Sequence, residues 1–350
     1  MTEARANRKR LGKTKSSRYQ LHSDLALDHA VALVDTVCCL AGDESLVGNG
    51  KSDEINQLRR AIEVHDTPYL FDQLMVIFSL QGISDHAAYV YMERHGRVTW
   101  RDLKRATTSP PRCTKLRCYW TFNDCGYQKG ARTCAELKIL PTCPLPKHDL
   151  RNGRLNQTAY SLFLFIRDVT DGDLVGWIDQ RLDQAGSGNT RGRSTRMRRT
   201  LIEPLRNLFG ISDKVLNMAL AHVLTSAPST KPQWLETGVN MNAIDRLVHA
   251  FMHRTGILRR FKAQHAYGPA CYEKDGCAEI VERIASLIDA RQFNPSYPQF
   301  FPRFVQHAIW RYCAQLELNI CNGNRIDDRY RCTNEGCPLF HHCDRVALQP

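Results

Sequence analysis

The sequence predicts an all-α protein. Three observations carry this. Apolar residues recur at helical spacing in segment after segment, nothing alternates convincingly at period two, and Gly-, Ser- and Pro-marked loops separate the periodic stretches. The 350 residues are 43% hydrophobic and 9% aromatic, an ordinary globular composition that excludes wholesale disorder. A chain of this length divides into two domains, or carries one core with large insertions.

Residues 1–20 hold seven Lys and Arg and little that is apolar, and read as a basic flexible arm or a plain solvated terminus. From Ser23 to Ala41 Leu25, Leu27, Ala30, Leu33, Val34 and Val37 follow a helical stripe, with Ser23 as its N-cap. Gly42 to Lys51 reads as a loop. Pro68 to Arg94 reads as two helices, broken at Gln81 to Asp85, with Ser84 able to cap the second. Thr107 to His148 differs in kind: five cysteines, five prolines and little periodicity mark an inserted, cysteine-rich segment. Helical pattern returns from Leu155 to Gln184. Gly186 to Arg199 reads as a strongly basic loop, and Thr200 to Leu224 as helix, short turn, helix. Further helices are expected over Asn242 to Gly256, Ala278 to Gln292 and Phe300 to Leu318, with a loop-like tail after Cys321.

Lys and Arg number 48 against 36 Asp and Glu, a net charge of +12 and a sequence pI near 9.1. No window reaches 18 apolar residues, and no apolar stretch follows the charged N-terminus, so neither a membrane span nor a signal peptide is expected. That reading puts the 14 cysteines in a reducing compartment, as metal ligands or buried thiols rather than disulfides. A basic, cysteine-rich chain of this kind points to a polyanionic partner, most simply nucleic acid.

The stretch Leu208-Phe-Gly-Ile-Ser-Asp-Lys214 is the most informative. Two helices joined by so short a turn present backbone N–H groups at the start of the second, which with the helix dipole bind a phosphate oxygen. The plainer reading is an ordinary turn between helices. Further on, Ala243 to Gly256 places Asp245 at the start of a helix, as a plain N-cap or as a working carboxylate.

Together, Leu208 to Lys214, then Ile244-Asp245, then Arg254-Thr255, resemble the helix-hairpin-helix DNA glycosylases of the endonuclease III type, whose pattern is L-P-G-V-G-x-K, then V-D, then R-T. Ser79-Leu80-Gln81 resembles the S-A-Q that ends a helix in that family. The resemblance covers residues about 67–95 and 200–345. It implies a two-lobed fold: N-terminal helices over 21–66 packed with the C-terminal lobe, a helical barrel over 67–226 holding the insertion 107–150 and the hairpin 200–224, and a C-terminal lobe over 227–350. It also implies double-stranded DNA in the cleft between lobes, with Lys214 and Asp245 facing each other across it. Asp245 would stabilise charge on the sugar. Lys214 would form a Schiff base that permits strand cleavage. Gln81 would fill the gap left by a flipped base, or simply end a helix. Gly210, Ser212 and Arg254 fall on the family's DNA-contacting motifs, and Arg196 and Arg199 extend the basic surface.

Cys321-x10-Cys332-x4-Cys337-x5-Cys343 closes the chain. Four thiolates in a loop after a helix suit a tetrahedral zinc or an iron–sulfur cluster. The resemblance implies a [4Fe–4S] cluster. The family's intervals are x6, x2 and x5, so only the last matches, and Cys313 stands as an alternative first ligand to Cys321. Cys113, Cys118, Cys125, Cys134, Cys143 and His148 offer a zinc site or simply buried thiols, and Cys271 and Cys277 read as structural thiols. Tyr119, Trp120, Phe122, Tyr127, Lys129 and Arg132 in the insertion suggest a base pocket or a strand contact.

The resulting expectation is a monomeric, cytoplasmic, bacterial-type enzyme that excises a damaged or modified base from DNA, in repair or in defence against foreign DNA, with lyase activity resting on Lys214. The competing expectations are a non-catalytic iron–sulfur DNA-binding protein on the same fold and a redox-sensing DNA regulator.

Overall fold

The computed structural model describes residues 24–42, 53–81, 83, 85–122, 125–128, 133–134, 136–148, 154–188 and 192–349. The basic arm, the caps assigned to Ser23 and Ser84, and Arg191, Lys129 and Arg132 lie outside these residues. The described chain is mostly helical. Its strands are β1 (Tyr127–Gln128) and β2 (Thr133–Cys134), one short antiparallel ladder with Tyr127 opposite Cys134. Among the described residues no helix is long and apolar enough to cross a membrane.

Two compact units divide at Ala243/Ile244. The first, Val47–Ala243, holds α2 (Asp53–Glu63), α3 (Thr67–Ser79), α4 (Asp85–His95), α5 (Trp100–Ala106), α6 (Tyr119–Phe122), α7 (Arg154–Val169), α8 (Leu174–Gly186), α9 (Arg193–Leu205), α10 (Asp213–Thr225) and α11 (Pro232–Gly238). Helix α3 starts where Asp66 accepts the N–H of Tyr69 and Pro68 occupies the first turn, which spares a donor that would be orphaned there. Helix α7 is the axle of this unit, with every residue from Leu155 to Ile166 buried. Its buried polar side chains are spent on the neighbouring segments, as burial demands. Asn156 exchanges hydrogen bonds with both backbone groups of His148. Thr158 donates to the carbonyl of Phe209 at 2.8 Å, and Ser161 accepts its N–H at 3.1 Å.

The cysteine-rich insertion is docked on this axle. Phe122 stacks on Tyr160, Tyr160 donates to the carbonyl of Leu116, and the N–H of Tyr119 donates to Asp168. The basic stretch expected as a loop is helical from Arg193. Met197, Leu201, Ile202 and Leu205 bury one face of α9, and long unbranched arginines are good helix formers.

The expected lobe boundaries also move. Helix α2 joins the first unit because Leu58 and Ile62 enter its core, and α11 joins it because buried Trp234 donates to Asp179 at 2.7 Å.

The second unit takes Met1–Leu46 with Ile244–Pro350. It holds α1 (24–41), α12 (Arg246–Arg254), α13 (Ile257–Arg260), α14 (Cys277–Ala285) and α15 (Pro302–Cys313). Helix α1 is tied in at its end, where Arg311 donates to the carbonyl of Ala41 at 2.8 Å. Helix α15 stops at Cys313, short of Leu318, because the chain turns extended at Ala314.

Candidate functional site

The hairpin is built by α9, α10 and the turn between them. Leu208 is buried, and α7 grips Phe209 from both sides. Gly210 has φ +73°, a left-handed conformation that favours glycine, and a Cβ there would also push on the Arg154 guanidinium at 2.8 Å. Ser212 sits at the N-cap of α10, but its hydroxyl makes no capping bond. Asp213 pairs with Arg206 through two contacts of 2.9 Å. Lys214 is half-buried in the first turn of α10.

Gln81 braces this turn. Its Nε2 donates to the carbonyl of Gly210 at 2.6 Å, and its Oε1 accepts the N–H of Ser212 at 2.8 Å. Both ends of the carboxamide are therefore committed to the hairpin, which argues against the expected role of filling a gap in a duplex. Arg196 donates to the carbonyl of Ala185 within its own unit. Arg199 is 69% exposed and pairs with Glu203 at 2.8 Å in solvent, where such a pair contributes little.

Helix α12 links a carboxylate to the cysteine tail. Asp245 is its N-cap, with Oδ1 accepting the N–H of Val248 at 2.9 Å. Nine residues on, about 13 Å at the rise of an α-helix, stands Arg254. Arg254 is 2% exposed and donates to Asp328 at 2.7 Å. Burial works against its charge, but Asp328 and the neighbouring Cys321 outweigh it and hold the guanidinium protonated. The expected role of Arg254 as a DNA contact gives way to a buried ion pair, because solvent and phosphate do not reach it.

Arg254 and Thr255 line a small cavity of roughly 20 Å³ whose wall includes Cys321, Cys332, Cys337 and Cys343. Cys313 is not part of that wall. Its buried thiol nevertheless lies within hydrogen-bond reach of the Cys321 thiol. Burial pushes the Cys343 thiol up to about 12, whereas the hydrogen bond with Cys313 and the Arg254 charge draw the Cys321 thiol down. Thiolates around one zinc stand about 3.8 Å apart, as Zn–S bonds of about 2.3 Å require. Among the described residues this quartet does not draw together within 4.8 Å. All four donors are thiols, a set that suits either a zinc ion or an iron–sulfur cluster.

The insertion holds a second such quartet. Cys113, Cys125, Cys134 and Cys143 line a cavity of roughly 50 Å³. Cys118 lies apart, against Thr121, and the His148 ring lies at 3.0 Å from the Gly96 carbonyl, so neither joins them. These four also fail to draw together within 4.8 Å, which departs from the expected zinc site.

A third group was not foreseen. His249, His265, Cys271 and Cys277 bring four ligand atoms within 4.8 Å of one another. Cys271 and Cys277 are the thiols that read as structural. The even spacing His265-x5-Cys271-x5-Cys277 was the available signal, and His249 comes from another element.

No family model matches this chain, and no curated protein or solved structure matches it significantly.

Proposed function

We propose that the protein is a DNA glycosylase that flips a damaged or modified base out of double-stranded DNA and breaks its N-glycosidic bond. One observation carries the reading. Helix α12 holds Asp245 at its N-terminal end and lines the four-cysteine cavity at the other, so a rigid element runs from a carboxylate to a metal-ready wall. Asp245 would stabilise the positive charge that develops on the sugar as the base leaves with the bonding electrons. Lys214 would supply an amine to the same carbon, adding strand cleavage. The hairpin amides at the start of α10, with Arg199, would hold phosphates. A [4Fe–4S] cluster on Cys321, Cys332, Cys337 and Cys343 would order the basic tail around Arg325, Arg329 and Arg331. The protein would work as a monomer, in a reducing, DNA-containing compartment such as a bacterial cytoplasm.

A second reading is a non-catalytic DNA-binding protein. It is favoured by the capping bond of Asp245, which gives that carboxylate a structural use.

The experiment that tests the proposal presents a panel of damaged and modified bases in duplex DNA, with borohydride trapping beside an alkali-treated sample. A trapped band lost in Lys214→Ala supports a bifunctional enzyme. Alkali-dependent cleavage without trapping leaves a monofunctional one resting on Asp245. Binding without cleavage across the panel, unchanged in Asp245→Asn, favours the binding protein.

A further inference from the structure

We infer that His249, His265, Cys271 and Cys277 form a closed structural zinc site that staples the segment 263–277 onto helix α12. The geometry is that of one tetrahedral ion. Zn–S bonds of about 2.3 Å and Zn–N bonds of about 2.0–2.1 Å put sulfur and nitrogen about 3.5 Å apart. His249 Nδ1 lies 3.3 Å from Cys277 Sγ and 3.6 Å from Cys271 Sγ, and His265 Nε2 lies 3.4 Å from Cys277 Sγ. Cys271 and Cys277 are fully buried and His249 nearly so. Four protein ligands leave no position open, the mark of a structural site.

The surroundings support the same ion. The other nitrogen of His265, Nδ1, lies 2.7 Å from the carbonyl of Ala263. Donating there fixes the tautomer that turns the Nε2 lone pair toward the sulfurs, the usual arrangement behind a metal-binding histidine. Gly276 closes the loop between the two cysteines. A Cβ there would come within 2.4 Å of the Ala270 carbonyl and 2.8 Å of the Cys271 carbonyl. Cys277 opens α14, so that helix carries the site's last ligand.

The staple reaches the carboxylate of helix α12. Tyr272 lies in the turn between the two cysteine ligands. Its hydroxyl accepts the N–H of Ile244 at 2.9 Å and donates to the Ile244 carbonyl at 3.3 Å. Ile244 immediately precedes Asp245. Tyr267, also on the segment, packs its ring against His249 and lies close enough to Asp245 to feel its charge. Tyr272 is thus a positioning residue for the start of α12, whatever reaction Asp245 serves.

The test starts from elemental analysis of the purified full chain. About one zinc per chain is expected in the parent protein, and close to none in Cys271→Ser/Cys277→Ser. Cobalt substituted for zinc in the parent protein should give the visible spectrum of tetrahedral two-sulfur ligation, which does not depend on the variant folding. Stripping zinc with a mercurial reagent should speed amide exchange over 244–249, and Tyr272→Phe should speed it at Ile244 while zinc is retained. A folded parent protein without zinc, zinc unchanged in the double variant, or cobalt bound by four sulfurs would each overturn the site. Exchange over 244–249 indifferent to zinc would overturn the staple.

A separate observation carries a second assignment: Cys113, Cys125, Cys134 and Cys143 hold an iron–sulfur cluster of their own. They arrive from four places. Cys113 precedes a 3-10 turn, Cys125 follows α6, Cys134 lies on β2, and Cys143 ends the turn Leu140–Thr142. They nevertheless line one cavity, and Cys143 senses the other three electrostatically. Gln157 of α7 donates to Cys125 Sγ at 3.7 Å, anchoring the pocket to the axle of the unit. Two four-iron clusters require about eight irons per chain. Cys125→Ser/Cys143→Ser should lower that to about four, and leave zinc unchanged. Iron in the parent protein that Cys125→Ser/Cys143→Ser leaves unchanged, or a second zinc released by the variant, would overturn this assignment.

Discussion

The Oε1 atom of Gln81 accepts the backbone N–H of Ser212 at 2.8 Å, across 131 positions of sequence. The same carboxamide donates to Gly210, so one side chain from the end of α3 spans the turn that opens α10. Gln81→Ala removes both bonds from a half-buried site, and should cost about 1–2 kcal/mol of stability, read by urea unfolding. DNA affinity should fall alike for all sequences, since the brace orients backbone amides rather than reading bases. Selective loss on a mismatched or base-flipped duplex would instead make Gln81 a wedge.

Asp245 has two separable uses. Asparagine keeps the capping acceptor for Val248, whereas alanine loses it at a cost of about 1 kcal/mol. Asp245→Asn should therefore melt near the parent protein and release no base. Asp245→Ala should both melt lower and release none. Base release retained in Asp245→Asn would leave the carboxylate a cap alone.

Arg254 is the buried half of an ion pair whose partner, Asp328, remains a third exposed. Arg254→Ala should destabilise the second unit by about 3 kcal/mol, toward the low end for broken buried pairs because Asp328 keeps some water. Iron bound at the C-terminal cysteines should become labile to chelators. A stable variant with tightly held iron would assign Arg254 to the surface after all.

Asp173 caps α8 and meets His65 at 2.9 Å. Burial raises its pKa, but the N–H of Gly176 and the contact with His65 outweigh it and hold the carboxyl below its usual value. A depressed carboxyl contributes stability above its unfolded pKa of about 3.9, and loses it as pH falls through the lower folded value. Asp173→Asn should flatten the acid limb of the stability curve below about pH 4 and leave neutral pH dependence unchanged. An acid limb unaltered by the substitution would remove Asp173 from the account.

Exposed arginines such as Arg199 predict binding governed by phosphate charge. Affinity for duplex DNA should fall steeply from low to physiological salt, with a log–log slope of about −0.9 per phosphate neutralised. Arg199→Ala should make that slope shallower by about one unit. Binding that ignores salt would exclude the phosphate clamp.

Helices with a strong apolar stripe were legible along the chain, because a period of 3.6 needs no knowledge of partners. Helix α3, helix α7 and helix α10 fall where periodicity puts them. The first turns of helix α9 did not, because four arginines hide a stripe of Met197, Leu201, Ile202 and Leu205 that only packing reveals. The C-terminal cysteines, close in sequence, do line one cavity. The grouping of Cys113, Cys125, Cys134 and Cys143, without Cys118 and His148, was not legible along the chain.

By itself the sequence determined the helical class, the short turn at Gly210 between two helices and the presence of thiols close enough along the chain to share a metal. Those depend on local periodicity, φ preferences and short chain separations. Tertiary structure alone decided that Gln81 braces the hairpin, that Arg254 is buried beside Cys321, and that His249 meets His265, Cys271 and Cys277. These pairings join residues from different elements. Their distances are set by how helices pack, which no spacing along one strand of sequence encodes.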